Sequence, residues 1–268
     1  MLSYPNLDPT IVTLGPVHLR WYGVMYILGF GASYFLVRYQ IKKKDLGIST
    51  GILNDLFLYL VVGLIVGARI GYCIAYNLPF YLDYPLKVFA IWEGGMSFHG
   101  GLIGVVVAGL IFVRRHGFSF WQCADLIVVT VPIGLGLGRL GNFLNGELYG
   151  RVTTLPWAMV FPSAGDLPRH PSQLYECLLE GVLLFMILWW AKDRPLRKGS
   201  LFCLFLFLYG IARFFVEFFR EPDPQLGLVL SFMTMGQVLS IIMGLGGVLL
   251  WYLRPKDTSL TGTSPAPS

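Results

Sequence analysis

Seven apolar runs set the limits on what this chain can fold into. They cover residues 20–38, 53–76, 97–114, 122–141, 174–191, 200–219 and 232–252, with polar or charged connectors between them. A helix needs about 20 apolar residues to cross the hydrocarbon of a bilayer. Lipid offers no partner for backbone N–H and C=O groups, so runs of this kind become helices. The charged fraction of 13% agrees, since soluble domains carry about a quarter. The expected fold class is all-α: an integral membrane protein with seven transmembrane helices. Residues 1–257 read as one polytopic membrane domain, and the Ser/Thr/Pro-rich residues 258–268 as a disordered tail.

The connectors divide by charge. "RYQIKKKD" follows the first run, "RRHG" the third, "KDRPLRK" the fifth and "RPKD" the seventh; together they hold 12 of the 20 Lys and Arg. All fall on one side, which the positive-inside rule makes the cytoplasm. The N-terminus is then external and the C-terminus cytoplasmic. The net charge of +5 is thus a topology signal and does not imply a nucleic-acid partner. Residues 142–173 are too polar and Pro-rich to span and read as an external arm between helices 4 and 5. The N-terminal stretch has no n-region or small-residue cleavage site of a signal peptide. Cys73, Cys123, Cys177 and Cys203 lie in apolar runs without CxxC or Cys/His spacing, which argues against disulfides and a zinc site. Glycines four apart (Gly63, Gly67 and Gly71; Gly100 and Gly104; Gly134 and Gly138) mark close helix packing.

The other basic residues are Arg20, Arg69, Lys87, Arg139, Arg151, Arg169, Arg213 and Arg220, all toward the outer ends of the runs. Arginines gathered at outer-leaflet depth suit an anionic headgroup, because the guanidinium forks onto phosphate. In "GRLGNFLNGELYGR", Arg139 arrives in the last turn of the fourth run, with Asn142 three residues on and Asn145 and Glu147 beyond. A lone arginine there would snorkel to the interface; this group fits a polar pocket better. In "YGIARFFVEFFREPD", Tyr209, Arg213 and Glu217 are spaced i, i+4, i+8, with Arg220 next, so they form one polar stripe. The stripe serves either as an interior ion pair or as part of a phosphate site.

"WEGGMSFHGG" puts His99 among glycines at the outer start of the third run, as a proton acceptor near neutral pH or as a histidine satisfied at an interface. In "RHPSQLYE", Ser172 reads as a helix cap and Pro171 as a first-turn residue; His170 and Glu176 are weaker pocket candidates. Tyr22, in "RWYG", is either an interfacial belt residue or a pocket hydroxyl. Asp125, at the inner start of the fourth run, reads as structural, favoured at its own helix N-terminus.

Together "RWYGVMY", "RIGY", "WEGGMSFHGG", "GRLGNFLNGELYGR", "RHPSQLYE" and "RFFVEFFREPD" closely resemble bacterial prolipoprotein diacylglyceryl transferases, in the family's order and over nearly the whole chain. The resemblance implies an enzyme of the bacterial cytoplasmic (inner) membrane acting at its outer leaflet. The diacylglyceryl group of phosphatidylglycerol moves to the lipobox cysteine thiol of a prolipoprotein, forming a thioether and releasing glycerol 1-phosphate. No metal or diffusible cofactor is implied. The resemblance supports Tyr22, His99, Arg139, Asn142, Gly150, Tyr209, Arg213 and Glu217 as site positions.

The residue types fit that chemistry. His99 is a base for the thiol, or arginine potential alone lowers the thiol pKa. Arg139 and Arg213 suit the departing phosphate. Asn142, Asn145 and Glu147 belong to the same pocket, with Asn142 and Glu147 orienting Arg139 or binding glycerol hydroxyls. Tyr22 and Tyr209 offer hydroxyls to the headgroup. The competing reading is an anion or lipid transporter with an arginine-lined pocket. Placement of the buried charges almost entirely on the outer side, with only Asp125 toward the cytoplasm, disfavours it.

Overall fold

The computed structural model describes residues 2–5, 8, 10–14, 17–221, 228–229 and 233–254, without the side chains of residues 14, 17–19, 228 and 229. The tail expected at 258–268 lies outside the described residues. In chain order the elements are β1 (Thr10–Leu14), β2 (Val17–Arg20), α1 (Trp21–Lys43), α2 (Thr50–Tyr76), α3 (Leu78–Asp83), α4 (Phe98–His116), α5 (Phe120–Val128) and α6 (Val131–Leu144). Then come α7 (Ser172–Glu176), α8 (Leu184–Ala191), α9 (Ser200–Val216), β3 (Leu228–Val229), β4 (Met233–Thr234) and α10 (Met235–Leu253).

Helices occupy each of the seven expected runs. Four segments are both long and apolar enough to cross a membrane: Thr50–Tyr76, Phe98–His116, Ser172–Ala191 and Met235–Leu253. The pair α5 and α6, bent by 43° at its break, makes a fifth if it counts as one span. α9 has 17 residues. α1 has 23 but is diluted by Tyr22, Tyr26, Tyr34 and Tyr39. In the four long segments only 17% to 33% of residues are buried inside the protein. Leu58 and Ile74 of α2, and Leu245 and Leu249 of α10, are exposed, apolar surface on each helix that water does not tolerate and lipid does. The chain is thus a mostly helical, multi-pass membrane protein.

The chain divides into two compact units, residues 38–123 and residues 1–37 with 124–268. In the first, α2 packs along α4. A Cβ on Gly71 would lie 2.6 Å from the Gly100 Cα, and one on Gly63 2.6 Å from the Gly104 carbonyl. The glycine stripes read from the sequence are what lets these two backbones touch. In the last two turns of α2, Arg69 is buried and organises the loop beyond that helix. Its Nε donates to the Val88 carbonyl at 2.8 Å, Nη2 to Lys87 at 2.6 Å, and Nη1 to Gly94 and Gly95 at 2.5 and 3.1 Å. Lys87 pairs with Glu93. Arg69 and Lys87 are therefore spent on the fold, a correction to the expectation that the outer basic residues gather at an anion.

In the second unit a hairpin absent from the sequence reading, β1 with β2, leads into α1. α6 lies on the segment Ser172–Ala191, where residues Cys177–Leu183 form π-helical turns. Gly136 of α6 meets Gly181 of those turns: a Cβ on Gly136 would sit 3.1 Å from the Gly181 Cα. Val128, Val129, Leu184, Leu188, Ala191 and Leu201 form the buried core. The polar arm after α6 closes over Phe143, Met159 and Phe161, with Tyr4 packed on them and its hydroxyl donating to the Phe143 carbonyl at 2.7 Å.

Two capping expectations are corrected. Asp125 does not serve its own helix: its carboxylate accepts from the Gly199 and Phe202 N–H groups at 2.7 and 2.9 Å and so caps α9. Ser172 is the first residue of α7, with Pro171 at the cap position. The Ser172 hydroxyl donates instead to the Leu148 carbonyl at 3.2 Å, and the Gln173 amide to the Glu147 carbonyl at 2.7 Å. Both side chains thereby fasten the arm to the helix.

Candidate functional site

The close contact of Gly136 with Gly181 carries Arg139, one turn further along α6, up to Glu176. The Arg139 Nε lies 2.5 Å from Glu176 Oε2. α9 presents its polar stripe to the same carboxylate. Arg213 Nη1 donates to Glu176 Oε2 at 3.0 Å and Nη2 to Glu217 Oε2 at 2.6 Å. Arg213 Nη1 is also 3.7 Å from Glu180 Oε1, and Arg220 Nη1 is 3.7 Å from Glu176 Oε1. Glu176 and Glu180 are fully buried, and Glu217 nearly so.

Three guanidinium and three carboxylate groups thus meet inside an apolar helix packing, and their formal charges cancel. Pairing is what makes the burial tolerable, since removing one partner of a buried ion pair costs about 3–5 kcal/mol. The pairing is incomplete. Among the described residues neither Glu180 oxygen nor Glu176 Oε1 has a hydrogen-bond partner. The cluster therefore keeps acceptors in reserve beside three cationic groups whose fork geometry suits a phosphate.

A second polar group flanks the first. Glu147 Oε1 accepts from Asn142 Nδ2 at 2.8 Å and from Asn145 Nδ2 at 3.3 Å. Asn142 and Glu147 were expected to orient Arg139 or to bind glycerol hydroxyls. The Asn142 amide serves Glu147, and Glu176 holds Arg139 instead. Tyr22 packs on the same helix: a Cβ on Gly141 would meet its ring at 3.2 Å, and its hydroxyl is 3.0 Å from that of Tyr26. Tyr209 lies one turn before Arg213, stacked on Phe205 at 5.7 Å between ring centroids.

Gly150 ties the arm to the end of α9. Its N–H donates to the His170 carbonyl at 2.9 Å and it bridges to Arg220. A side chain there would place Cβ 2.7 Å from the His170 Cβ and 2.8 Å from its carbonyl oxygen. Arg151 and Arg169 hold this junction rather than an anion. Arg151 Nε donates to the Arg220 carbonyl at 2.9 Å, and Arg169 Nη1 contacts the Gly150 carbonyl at 3.2 Å and Glu221 at 3.0 Å. Next to them Trp157 Nε1 donates to the Tyr175 hydroxyl at 2.7 Å, which lies 3.1 Å from His170 Nδ1. The indole can only donate, whereas between the Tyr175 hydroxyl and Nδ1 the direction follows the imidazole tautomer. Burial lowers the His170 pKa below its ordinary 6.5.

His99 belongs to the other unit. It is exposed in the first turn of α4, after the Ser97 cap, with its ring edge-on to Phe98 at 5.6 Å. Sequence reading placed Arg139, Arg213 and Glu217 among the site residues and ranked Glu176 low. It missed Glu180 and Thr234. "YECLLEG" held a usable sign: two carboxylates four apart at the start of an apolar span, which is costly unless they face partners.

Residues 9–253 match the family described as prolipoprotein diacylglyceryl transferase. The chain belongs to this family. Among its relatives, the phosphatidylglycerol–prolipoprotein diacylglyceryl transferase of Desulfotalea psychrophila is 51% identical over 258 residues, covering 94% of this chain and 95% of the relative. That of Bordetella avium is 51% identical over 261 residues, with 97% and 99% covered. That of Legionella pneumophila strain Paris is 48% identical over 255 residues, with 95% and 100% covered. The prolipoprotein diacylglyceryl transferase match thus spans both compact units, including the arginine–glutamate cluster and α4, which carries His99 in its first turn.

Proposed function

We propose that this chain is the transferase that moves the diacylglyceryl group from phosphatidylglycerol to the lipobox cysteine thiol of a prolipoprotein, in the bacterial inner membrane. The observation that carries the reading is the Arg139–Glu176–Arg213 arrangement: two guanidiniums converged on one buried oxygen at the ends of two helices. The proposed topology has seven spans, an external N-terminus and a cytoplasmic C-terminus, so this cluster opens to the outer leaflet. The charge division of the connectors supports it.

In this mechanism the thiolate sulfur attacks the glyceryl carbon that carries the phosphate ester. A C–S bond forms as the C–O bond breaks, and the electron pair leaves with the phosphate of glycerol 1-phosphate. Arg139 and Arg213 hold that phosphate and stabilise the charge it gains, which a preorganised site does without reorganising. Asn142, Asn145 and Glu147 line the headgroup side, with Tyr22 and Tyr209 offering hydroxyls and Gly150 keeping the arm seated. His99 takes the thiol proton. No resident metal or cofactor enters the scheme.

The test is the purified full chain with phosphatidylglycerol and a lipobox peptide. Formation of the thioether with release of glycerol 1-phosphate is expected. A folded protein that gives no thioether but moves lipid or anion across a vesicle membrane would replace this reading with the transporter.

A further inference from the structure

Glu217 is held from a second side, by the start of α10. The Thr234 hydroxyl accepts from the Gln237 N–H at 3.2 Å, while the Gln237 side chain accepts from the Thr234 N–H at 3.1 Å, a reciprocal cap on that helix. A hydroxyl has a single proton, and capping uses only a lone pair. The Thr234 proton is free for another acceptor and is given to Glu217 Oε1 at 3.1 Å, with both residues buried. The other oxygen, Oε2, takes Arg213 Nη2 at 2.6 Å. Each oxygen of Glu217 therefore has one fixed donor, on opposite sides.

The carboxylate also lies flat on Gly236. A Cβ at that position would fall 2.6 Å from Glu217 Cδ and Oε1 and 2.8 Å from Oε2. No side chain fits there while Glu217 keeps its place. Gly210 holds α9 against α10, since its Cβ would lie 2.7 Å from the Ser240 carbonyl and 3.0 Å from the Gly244 nitrogen. The seat of Glu217 is thus defined by backbone, by one hydroxyl proton and by one missing methyl.

We propose that Thr234 and Gly236 are positioning residues for diacylglyceryl transfer: they fix Glu217, and through it set the Arg213 guanidinium that receives the donor phosphate. This rests on the donor-phosphate role of Arg213. The chain from Thr234 to Arg213 has one adjustable member, the Glu217 carboxylate, so loss of either outer support leaves Arg213 to Glu176 and Glu180 and rotates its fork away from the phosphate.

The experiment pairs structures with kinetics on the full-length protein. Thr234→Val keeps the shape and loses the hydroxyl, both its proton to Glu217 and its capping lone pair. Gly236→Ala keeps the Thr234–Gln237 cap and crowds out the carboxylate, and so stands in if the first variant fails to fold. In both structures the Arg213–Glu217 separation is expected to open beyond about 4 Å, the limit of an ion pair. With phosphatidylglycerol and a lipobox peptide, kcat/KM for the lipid should fall about tenfold, the usual effect of a lost hydrogen bond to a charged group. KM for the peptide should move less than about twofold, and Thr234→Ser should restore most of the lipid kcat/KM. In a Glu217→Gln background, adding Thr234→Val should cost less than about twofold more. The proposal is overturned if the pair stays closed in the folded variants, or if the two losses multiply. Absence of thioether product from the wild type would instead defeat the functional reading, and the variant structures would then decide the positioning claim alone.

Discussion

Arg139 and Arg213 share one oxygen. Their guanidiniums reach Glu176 Oε2 at 2.5 and 3.0 Å from two different helices. Like charges brought this close in an apolar interior are stable only while the carboxylate between them is ionised. Glu176 is therefore the hub of the cluster.

Glu176→Gln is expected to destabilise the protein by up to about 3–5 kcal/mol, because it leaves two half-buried guanidiniums facing a neutral amide. Thermal unfolding in detergent measures this. An unchanged melting temperature would mean that Glu217 and Glu180 suffice to hold both arginines.

Arg139→Ala is expected to lower transfer by about 100-fold or more, the scale of losing a transition-state donor to a developing anion. Glu176 keeps Arg213 as its partner, so the variant should still purify as folded protein. Wild-type turnover would reduce Arg139 to an interfacial anchor.

His99→Gln should slow transfer if the imidazole accepts the thiol proton, and the deficit should shrink at alkaline pH, where the peptide thiol ionises without a base. A loss of equal size at every pH would assign His99 to positioning.

Gly150→Ala should cost about 1–3 kcal/mol, the usual penalty for forcing a methyl into a filled site, because its Cβ would meet His170 at 2.7 Å. Faster hydrogen exchange at the Gly150, Arg151 and His170 amides, which pair the arm to itself and to the end of α9, would report the opened junction. Slow exchange there in the variant would contradict the account.

His170 is held neutral by burial, with its pKa below 6.5. Its unfolded form binds more protons once the pH drops below that value, so stability falls with falling pH until the folded pKa is reached. His170→Asn keeps an acceptor for Tyr175 and cannot titrate. The melting temperature of the wild type should therefore drop more between pH 7.5 and pH 5.5 than that of the variant. Parallel curves would show that His170 does not sense pH.

The apolar runs, the charge of their connectors and the i, i+4, i+8 stripe of Tyr209, Arg213 and Glu217 are properties of chain order. Helix period and lipid solvation act on them locally, so they were legible without a fold. Pairing was not. Arg69, Arg151 and Arg169 look like Arg139 in sequence, yet their guanidiniums are spent on backbone carbonyls of loops. Asp125 caps a helix 74 residues away, and Ser172 fastens an arm instead of capping its helix. Glu180 and Thr234 entered the picture only when α6, α9 and α10 closed around them. A buried charge or hydroxyl is settled by whichever donor or acceptor the packing brings within about 3 Å, and that distance is a property of the tertiary structure, not of the order of residues.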